Sequence, residues 1–459
     1  MKKYFFLIML SSLLVSLSAQ SLQLEDIQQM AKKVSEKPSE TALKNAISNN
    51  DVKKLALERD HVGKVNHFIS DQVKTKGITN QKSSGRCWMF TGLNVMRAKV
   101  IEKYNLNEFQ FSHNYLFFYD QLEKANLFYN GMIETAFKPI DDREVEWLLK
   151  NPIGDGGQWT GVVDLVTKYG LVPSEAMPET YHSENTSMMR RLLARKLRKD
   201  GLELRELGKS KLSKEAVINI KNEKLADIYQ ILVFCLGEPP TEFSWQYKDE
   251  KGIIGSLKLY TPTTFYHDVL DMNFNDYIMI MNDPAKEYHK LYEIKYDRHM
   301  YEGGNWKYIN LPIETIKEMA IASIKGNEGM YFSCDVGKQL EAEKGYLDLE
   351  TYNYNELFDV DFEMTKEQRI QSFESGSTHG MALMGVNILE DGNTDKWLLE
   401  NSWGKKGNNG FLTMTDDWFG EYMFRLVINK KYVSQDVLEI LKQEAIILPP
   451  WDPMFLMDF

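Results

Sequence analysis

Two hydrophobic rhythms run along this chain, and the change from one to the other divides it. After Cys87, Met89, Leu93, Met96 and Val100 recur at i, i+4, i+7 and i+11, with Phe90 and Ile101 beside them. That spacing predicts a helix beginning just past "SSGR". "HNYLFFYDQLEKANLFYNGMIETA" predicts a second helix and "TGVVDLVTKYGLV" a third, with the loop "GDGGQW" (Gly154 to Trp159) before the latter. "SMMRRLLARKLRKDG" reads as a basic amphipathic helix ending at Gly201. "LSKEAVINIKNEKLADIYQILVFCLG" reads as a long helix capped by Ser213. From about Gly255 the rhythm shortens. "KLYTPTTFY", "DYIMIMNDP", "GMYFSCDVG", "HGMALMGVNI", "DKWLLENSWG" and "GFLTMTDDWF" are β-rich runs bounded by Gly, Asn and Asp. Helices dominate the first half and strands the second, which is an α+β arrangement.

The N-terminal end follows neither rhythm. "MKKYFFLIMLSSLLVSLSAQ" places Lys2 and Lys3 ahead of an apolar run from Tyr4 to Leu17 and a small-residue exit. This reads as a secretory signal peptide cut after Ala19, and so as export to a periplasm or the outside. The run is short against the roughly 20 residues of a membrane span, and no cysteine follows it to carry a lipid, so no stable membrane anchor is expected. Residues 22–50 are polar and helix-prone, an arm continuing to about residue 60.

Composition narrows the class. The chain has 459 residues, 43% of them hydrophobic, which supports a large globular core in more than one lobe. Its net charge of -11 argues against a nucleic-acid partner. The basic residues between Arg190 and Lys199 then read as a solvated helix face. Cys87, Cys235 and Cys334 are too few for a disulfide framework, and none has zinc spacing. Cys235 and Cys334 sit inside apolar runs, as small hydrophobes do. No cofactor is implied.

Cys87 stands apart. It opens a helix, where the dipole and free N–H groups favour a thiolate. A thiol nucleophile also needs a base and donors for the oxyanion it creates. Gln81, six residues upstream, offers its amide, and the Cys87 N–H offers a second donor. Of eight histidines, His379 is best placed, at the start of a strand beside a glycine. Asn401 follows 22 residues later in "ENSWG". An asparagine can fix the imidazole tautomer without adding charge, and Trp403 can shield that bond from water.

"QKSSGRCWMF", "STHGMALMGV" and "ENSWGKKGNNGF" resemble the papain-like cysteine peptidases. "FSHNYLFFYDQLEK", "DGGQWTGVVDLVTKYGLVP", "CLGEPPTEFSWQYKD" and "LPPWDPM" resemble the bleomycin hydrolase/aminopeptidase C family in particular. The resemblance runs from about residue 60 to the end. It implies a two-lobed papain-like fold with Cys87 as nucleophile, His379 as base then acid, Asn401 as its orienter and Gln81 in the oxyanion hole. It also implies a substrate-binding set of Gly156 and Gly157 on the non-primed side, with Trp403 and Phe459. Cys87 and His379 are 292 residues apart, against roughly 130–150 in papain and its close relatives. The excess can house a helical insertion.

The expected layout is a signal peptide over 1–19, an N-terminal arm over 20–60 and a helical catalytic lobe over 61–186. A helical insertion over 187–254, a β-rich catalytic lobe over 255–448 and a C-terminal arm over 449–459 follow. The resemblance further implies a homohexamer acting on peptides, with the C-terminal arm in the cleft and its carboxylate on the substrate amine. That is aminopeptidase action. The family follows "WDPM" with small residues, whereas this tail is Phe455-Leu456-Met457-Asp458-Phe459. A papain-like endopeptidase is therefore the alternative, as is an inactive peptide-binding protein on the same fold. A transglutaminase-type acyltransferase would pair its histidine with Asp, which speaks against it. Export makes a direct prediction: mature protein from the native host begins at or near Gln20. Mass spectrometry of the N-terminal peptide reads this, and an intact Met1 on soluble cytosolic protein would refute it.

Overall fold

The structure is a computed structural model that describes residue 22, residues 24–35 and residues 40–455. The signal-peptide segment and Phe459 lie outside the described residues. The chain divides into two units. In the smaller, the described residues up to Leu57 join Tyr352–Val360. It holds the helices Leu24–Ser35 and Glu40–Asn49. It is tied by Asn353 N–H donating to Ala56 O at 2.8 Å and by the Lys53 ammonium 4.8 Å from the Tyr352 ring.

The larger unit is built on the helix Cys87–Tyr104. Thirteen of its residues are buried, because it is packed on more than the one stripe its periodicity shows. Met89, Leu93, Met96 and Val100 enter a core shared with the helical half. Val95 and Ala98 enter a second core against the sheet. A Cβ at Gly92 would stand 2.9 Å from Val162, so the helix Trp159–Tyr169 approaches closely only because Gly92 has none.

The helical half contains His113–Glu134, Ser187–Gly208 and Lys214–Leu236. Ser213 caps the last, its Oγ accepting from Ala216 N–H at 3.1 Å. Gly201 does not end its helix, which continues to Gly208. It lies inside, where a Cβ would stand 2.8 Å from Phe128 of the neighbouring helix. Close helix packing, rather than termination, explains that glycine.

Among the described residues a twelve-stranded sheet forms, eleven of its strands from the second half. Its order is Ile446–Leu448, Lys290–Ile294, Lys307–Asn310, Tyr277–Met281, Met423–Asn429, Met330–Cys334, His379–Ile388, Thr394–Glu400, Phe411–Thr415, Tyr346–Leu347 and Leu340–Glu341. Asp71–Gln72 pairs with His379–Ile388 off this path. Two β-rich runs turn helical midway. Thr261 and Pro262 start the short helix Pro262–Phe265 through a capping box, and Thr415 caps Asp416–Tyr422. The strand Met423–Asn429 and the helix Ile313–Lys325, which follows Pro312 and ends at Gly326, complete this half. No described helix is long and apolar enough to cross a membrane.

One buried ion pair ties the two halves. Arg97, on the helix Cys87–Tyr104, pairs with Glu400 at the end of Thr394–Glu400, and both are buried. The same guanidinium donates to Gly77 O at 2.8 Å. Burial pushes the Glu400 carboxyl up, and Arg97 opposes that shift. Replacing Arg97 by Met strands a buried carboxyl and should cost about 3 kcal/mol, while Arg97→Met with Glu400→Met should recover most of it. Denaturant unfolding reads both. An Arg97→Met midpoint equal to wild type would mean the pair holds nothing together.

Candidate active site

Cys87 is the first residue of its helix, and the turn before it is held from three sides. Gly85 N–H donates to Asp155 Oδ2 at 2.8 Å, and a Cβ at Gly85 would stand 2.6 Å from Asp155 Oδ1. Trp88 Nε1 donates to Asp155 O at 2.9 Å. Arg86 is fully buried and pairs with Glu179 at 2.8 Å. The turn is thereby fastened to the loop that carries Gly156 and Gly157.

Gln81 is fixed at both ends of its amide. Its Nε2 donates to Ser84 O at 2.7 Å, and its Oε1 accepts from Ser402 Oγ at 2.6 Å. An amide nitrogen carries two hydrogens, so Nε2 keeps a second N–H for the cavity that Gln81 lines. Gln81 N–H also donates to Ser402 O at 2.8 Å.

His379 begins its strand opposite Cys334 of Met330–Cys334. Its Nε2 lies 2.8 Å from Asn401 Oδ1. The same oxygen accepts from Ser402 N–H at 2.8 Å. A backbone N–H only donates, so this contact identifies the amide oxygen. His379 Nε2 must then carry a hydrogen, which leaves Nδ1 as the lone-pair nitrogen of the neutral ring. Trp403 stacks on the imidazole with centroids 4.9 Å apart. Burial draws the His379 pKa down to about 4, and the Asn401 hydrogen bond pulls the other way.

These groups converge on one cavity of about 320 Å³. Gln81, Cys87, His379, Gly156 and Gly157 all line it. Asn401 and Trp403 sit behind His379 and are not part of the lining. Gly157 permits no side chain, because a Cβ would stand 2.1 Å from the His299 ring. His299 is pinned by Asp120, Nδ1 to Oδ1, at 2.5 Å. Lys124 pairs with Asp120 at 2.9 Å and donates to Gly156 O at 2.6 Å. An Asp-His-Lys cluster, with Asp120 and His299 buried, thus holds the glycine loop in place. Burial and the nearby Lys124 charge lower the His299 pKa against the pull of Asp120.

The residue pattern along the chain missed six participants. Ser402 could have been found in "ENSWG", next to Asn401, and Asp155 in "GDGGQW". Asp120 and Lys124 show only i,i+4 spacing, and nothing marks their partner His299. Arg425 of Met423–Asn429 also lines the cavity. Phe455, read in the sequence as part of a bulky tail, is fully buried in the core of the helical half. No disulfide links the cysteines. Cys334 is buried and Cys235 partly so, and burial pushes both thiols up.

Residues 21–455 match the Peptidase C1-like family. The chain is 38% identical to bleomycin hydrolase of Homo sapiens over 450 residues, covering 95% of this chain and 99% of that protein. It is 38% identical to aminopeptidase C of Listeria monocytogenes over 436 residues, covering 94% and 98%. The crystal structure of PepW from Lactobacillus rhamnosis superposes with a TM-score of 0.92 at 37% identity, covering 95% of this chain and 99% of that one. With an α+β peptidase fold and similarity over nearly its whole length, this chain belongs to the Peptidase C1-like family.

Proposed function

We propose that this protein is a thiol-dependent aminopeptidase, releasing N-terminal residues from peptides and aminoacyl amides. One observation carries the reading: a helix-start thiol and an Asn-oriented imidazole line the same cavity as the amide of Gln81. Relatives named aminopeptidase C and aminopeptidase G, at 36–38% identity, support the exopeptidase part.

His379 Nδ1 takes the thiol proton, and Cys87 Sγ attacks the scissile carbonyl. The Gln81 Nε2–H and the Cys87 backbone N–H receive the oxyanion. His379 then gives its proton to the leaving amine, and water activated by the same imidazole hydrolyses the thioester. Asn401 keeps Nε2–H occupied so that Nδ1 does the transfer. Gly156 and Gly157 let the substrate backbone lie close to the wall.

The surrounding architecture completes the proposal. The papain-like lobes are 61–186 and 255–448, with 187–254 inserted and the arm 20–60 ahead of them. Two separate hydrophobic cores support the lobes. The arm 449–459 is anchored in the core by Met454 and Phe455, and its end enters the non-primed cleft, where the Phe459 carboxylate, or one exposed by trimming, meets the substrate α-ammonium. The protein is exported and assembles as a homohexamer. Exposed apolar side chains support self-association: Phe137 at 82%, Phe234 at 78%, and the stripe Leu24, Ile27, Met30 and Val34.

Fluorogenic aminoacyl amides, free and N-blocked, test the reading under reducing conditions. Cys87→Ala should abolish hydrolysis with the fold intact, and normal turnover would end the proposal. His379→Ala should cost about 10²–10⁴-fold as the base is lost, and Asn401→Ala less. The pH profile tests the electrostatics. Below about 4, His379 holds a proton and cannot accept one from Cys87. The acid limb of kcat/KM should therefore lie no higher than about 4, with activity rising through it as pH increases. A limb near 6.5, the value of a solvated imidazole, would show that burial does not set it.

A further inference from the structure

Residues 372–378 lead from the helix Lys366–Gln371 into His379 and belong to neither helix nor strand. The strand ladder begins only at His379, opposite Cys334. The entry of the imidazole into the sheet therefore depends on how this segment is fastened. Its first part turns back on the helix. Glu374 N–H and Ser375 N–H both donate to Arg369 O, at 2.9 and 3.2 Å, and Phe373 takes a left-handed backbone with φ 62°.

Its second part is fastened through hydroxyls. Ser375 Oγ donates to Asp335 Oδ2 at 2.8 Å, and Thr378 Oγ1 donates to Asp335 Oδ1 at 3.2 Å. The Thr378 hydroxyl also reaches Cys334 O at 3.4 Å, and Thr378 N–H donates to the same carbonyl at 3.0 Å. Ser377 Oγ donates to Ser333 Oγ at 2.9 Å. One carboxylate thus takes two of the three hydroxyls, one on each oxygen, and spans the last turn before the imidazole.

Asp335 is itself held fast. It is buried, its N–H donates to Tyr422 O at 3.0 Å, and its carbonyl accepts from Lys338 N–H at 3.2 Å. Lys338, Glu374, Tyr422 and Cys334 are the titratable groups around it. Among the described residues no cation forms an ion pair with its carboxylate, and Lys338 pairs with Glu374 instead. Burial pushes the Asp335 carboxyl up, and the Ser375 bond, the Lys338 charge and the Thr378 bond oppose that shift. A buried carboxylate answered only by hydroxyls is a costly way to stabilise a loop. It is a specific way to place one, because each oxygen fixes a different residue.

Ser333, Ser377, Thr378 and His379 line the catalytic cavity, and Asp335 does not. It acts only through the segment it grips. The geometry points to Asp335 as a positioning residue, fixing residues 375–378 so that the His379 imidazole meets the Cys87 thiol. This rests on the reading that His379 is the base of a thiol peptidase. The hold is one of position and not of charge. A hydroxyl accepts as well as donates, so an amide here keeps both contacts: its oxygen accepts from one hydroxyl and its nitrogen donates to the other.

The test compares full-length variants by two readouts. One is kcat and KM on a free-amine aminoacyl amide. The other is the rate of Cys87 alkylation by iodoacetamide near neutral pH, followed by mass spectrometry of the Cys87 peptide, which needs no substrate. Asp335→Ala should lower kcat about 100-fold, the scale of a reacting group displaced by about 1 Å, leave KM unchanged and slow the alkylation. Asp335→Asn should restore both readouts to wild-type values, because the amide keeps both contacts. Ser375→Ala and Thr378→Val should each lower kcat about tenfold, the scale of one hydrogen bond to a charged group. Thr378→Val should add nothing to Asp335→Ala. Should Asp335→Ala fail to fold, the two hydroxyl variants still decide, since each removes one contact and leaves Asp335 in place. A lower melting temperature for Asp335→Ala, with kcat and alkylation unchanged, would make the contact purely structural and overturn the assignment. An Asp335→Asn enzyme as slow as Asp335→Ala would overturn it too, since charge would then be what matters. If the wild-type enzyme cleaves no aminoacyl amide, the aminopeptidase reading fails, and the alkylation rates alone decide the role of Asp335.

Discussion

The site depends on a seam between two stretches far apart in sequence, 77–84 and 400–404. Arg97 and Glu400 form its buried electrostatic knot, joining the helix that Cys87 opens to the strand that leads into Asn401. Thr79 O accepts from Gly404 N–H at 3.0 Å, and Asn94 Nδ2 donates to Thr79 Oγ1 at 3.0 Å. Ser402 closes the seam by touching both Gln81 and Asn401. The oxyanion donor and the imidazole's orienter therefore share one neighbour. A buried pair of this kind contributes little net stability against apolar substitutes, but losing one partner is costly. It also specifies which surfaces meet.

Burial has opposite consequences at the two ends of this seam. At Arg97 and Glu400 it is offset by opposite charge. At His379 the only compensation is a neutral amide, and desolvation prevails. An acidic orienter would favour the imidazolium more strongly. Asn401 leaves the ring neutral and fixes the tautomer instead. The stacked Trp403 ring covers one face of the imidazole that Asn401 orients.

The opposite wall is set by side chains that glycine lacks. Gly85, Gly92 and Gly157 are each required by a close neighbour: Asp155, Val162 and His299. These absent side chains let the nucleophile helix, the glycine loop and the helical block approach one another. The Asp120–His299–Lys124 cluster then holds the loop by its carbonyls and not by its side chains, leaving the face toward the cavity bare.

Much of this was legible in the chain. The helix after Cys87, the long helix capped by Ser213 and the strand beginning at His379 follow from periodicity and caps, which depend on near neighbours. Gln81, Cys87, His379 and Asn401 were visible as residue types suited to thiol chemistry in motifs of a known family. Neighbour-based signals failed where distant packing decided. Gly201 looked like a terminator but is a helix-crossing site, because the cause lies on Phe128. Two β-like runs became helices at Thr261 and Thr415, where caps outweighed β propensity. Phe455 looked like tail and is core. Arg425 and His299 carried no local signal, since what makes each matter is a cavity or a partner more than a hundred residues away in sequence. The sequence by itself determined which chemistry the chain could perform and where its principal helices begin. Only the tertiary structure decided which polar groups share a wall, because burial and partner distance are set by long-range packing and not by spacing along the chain.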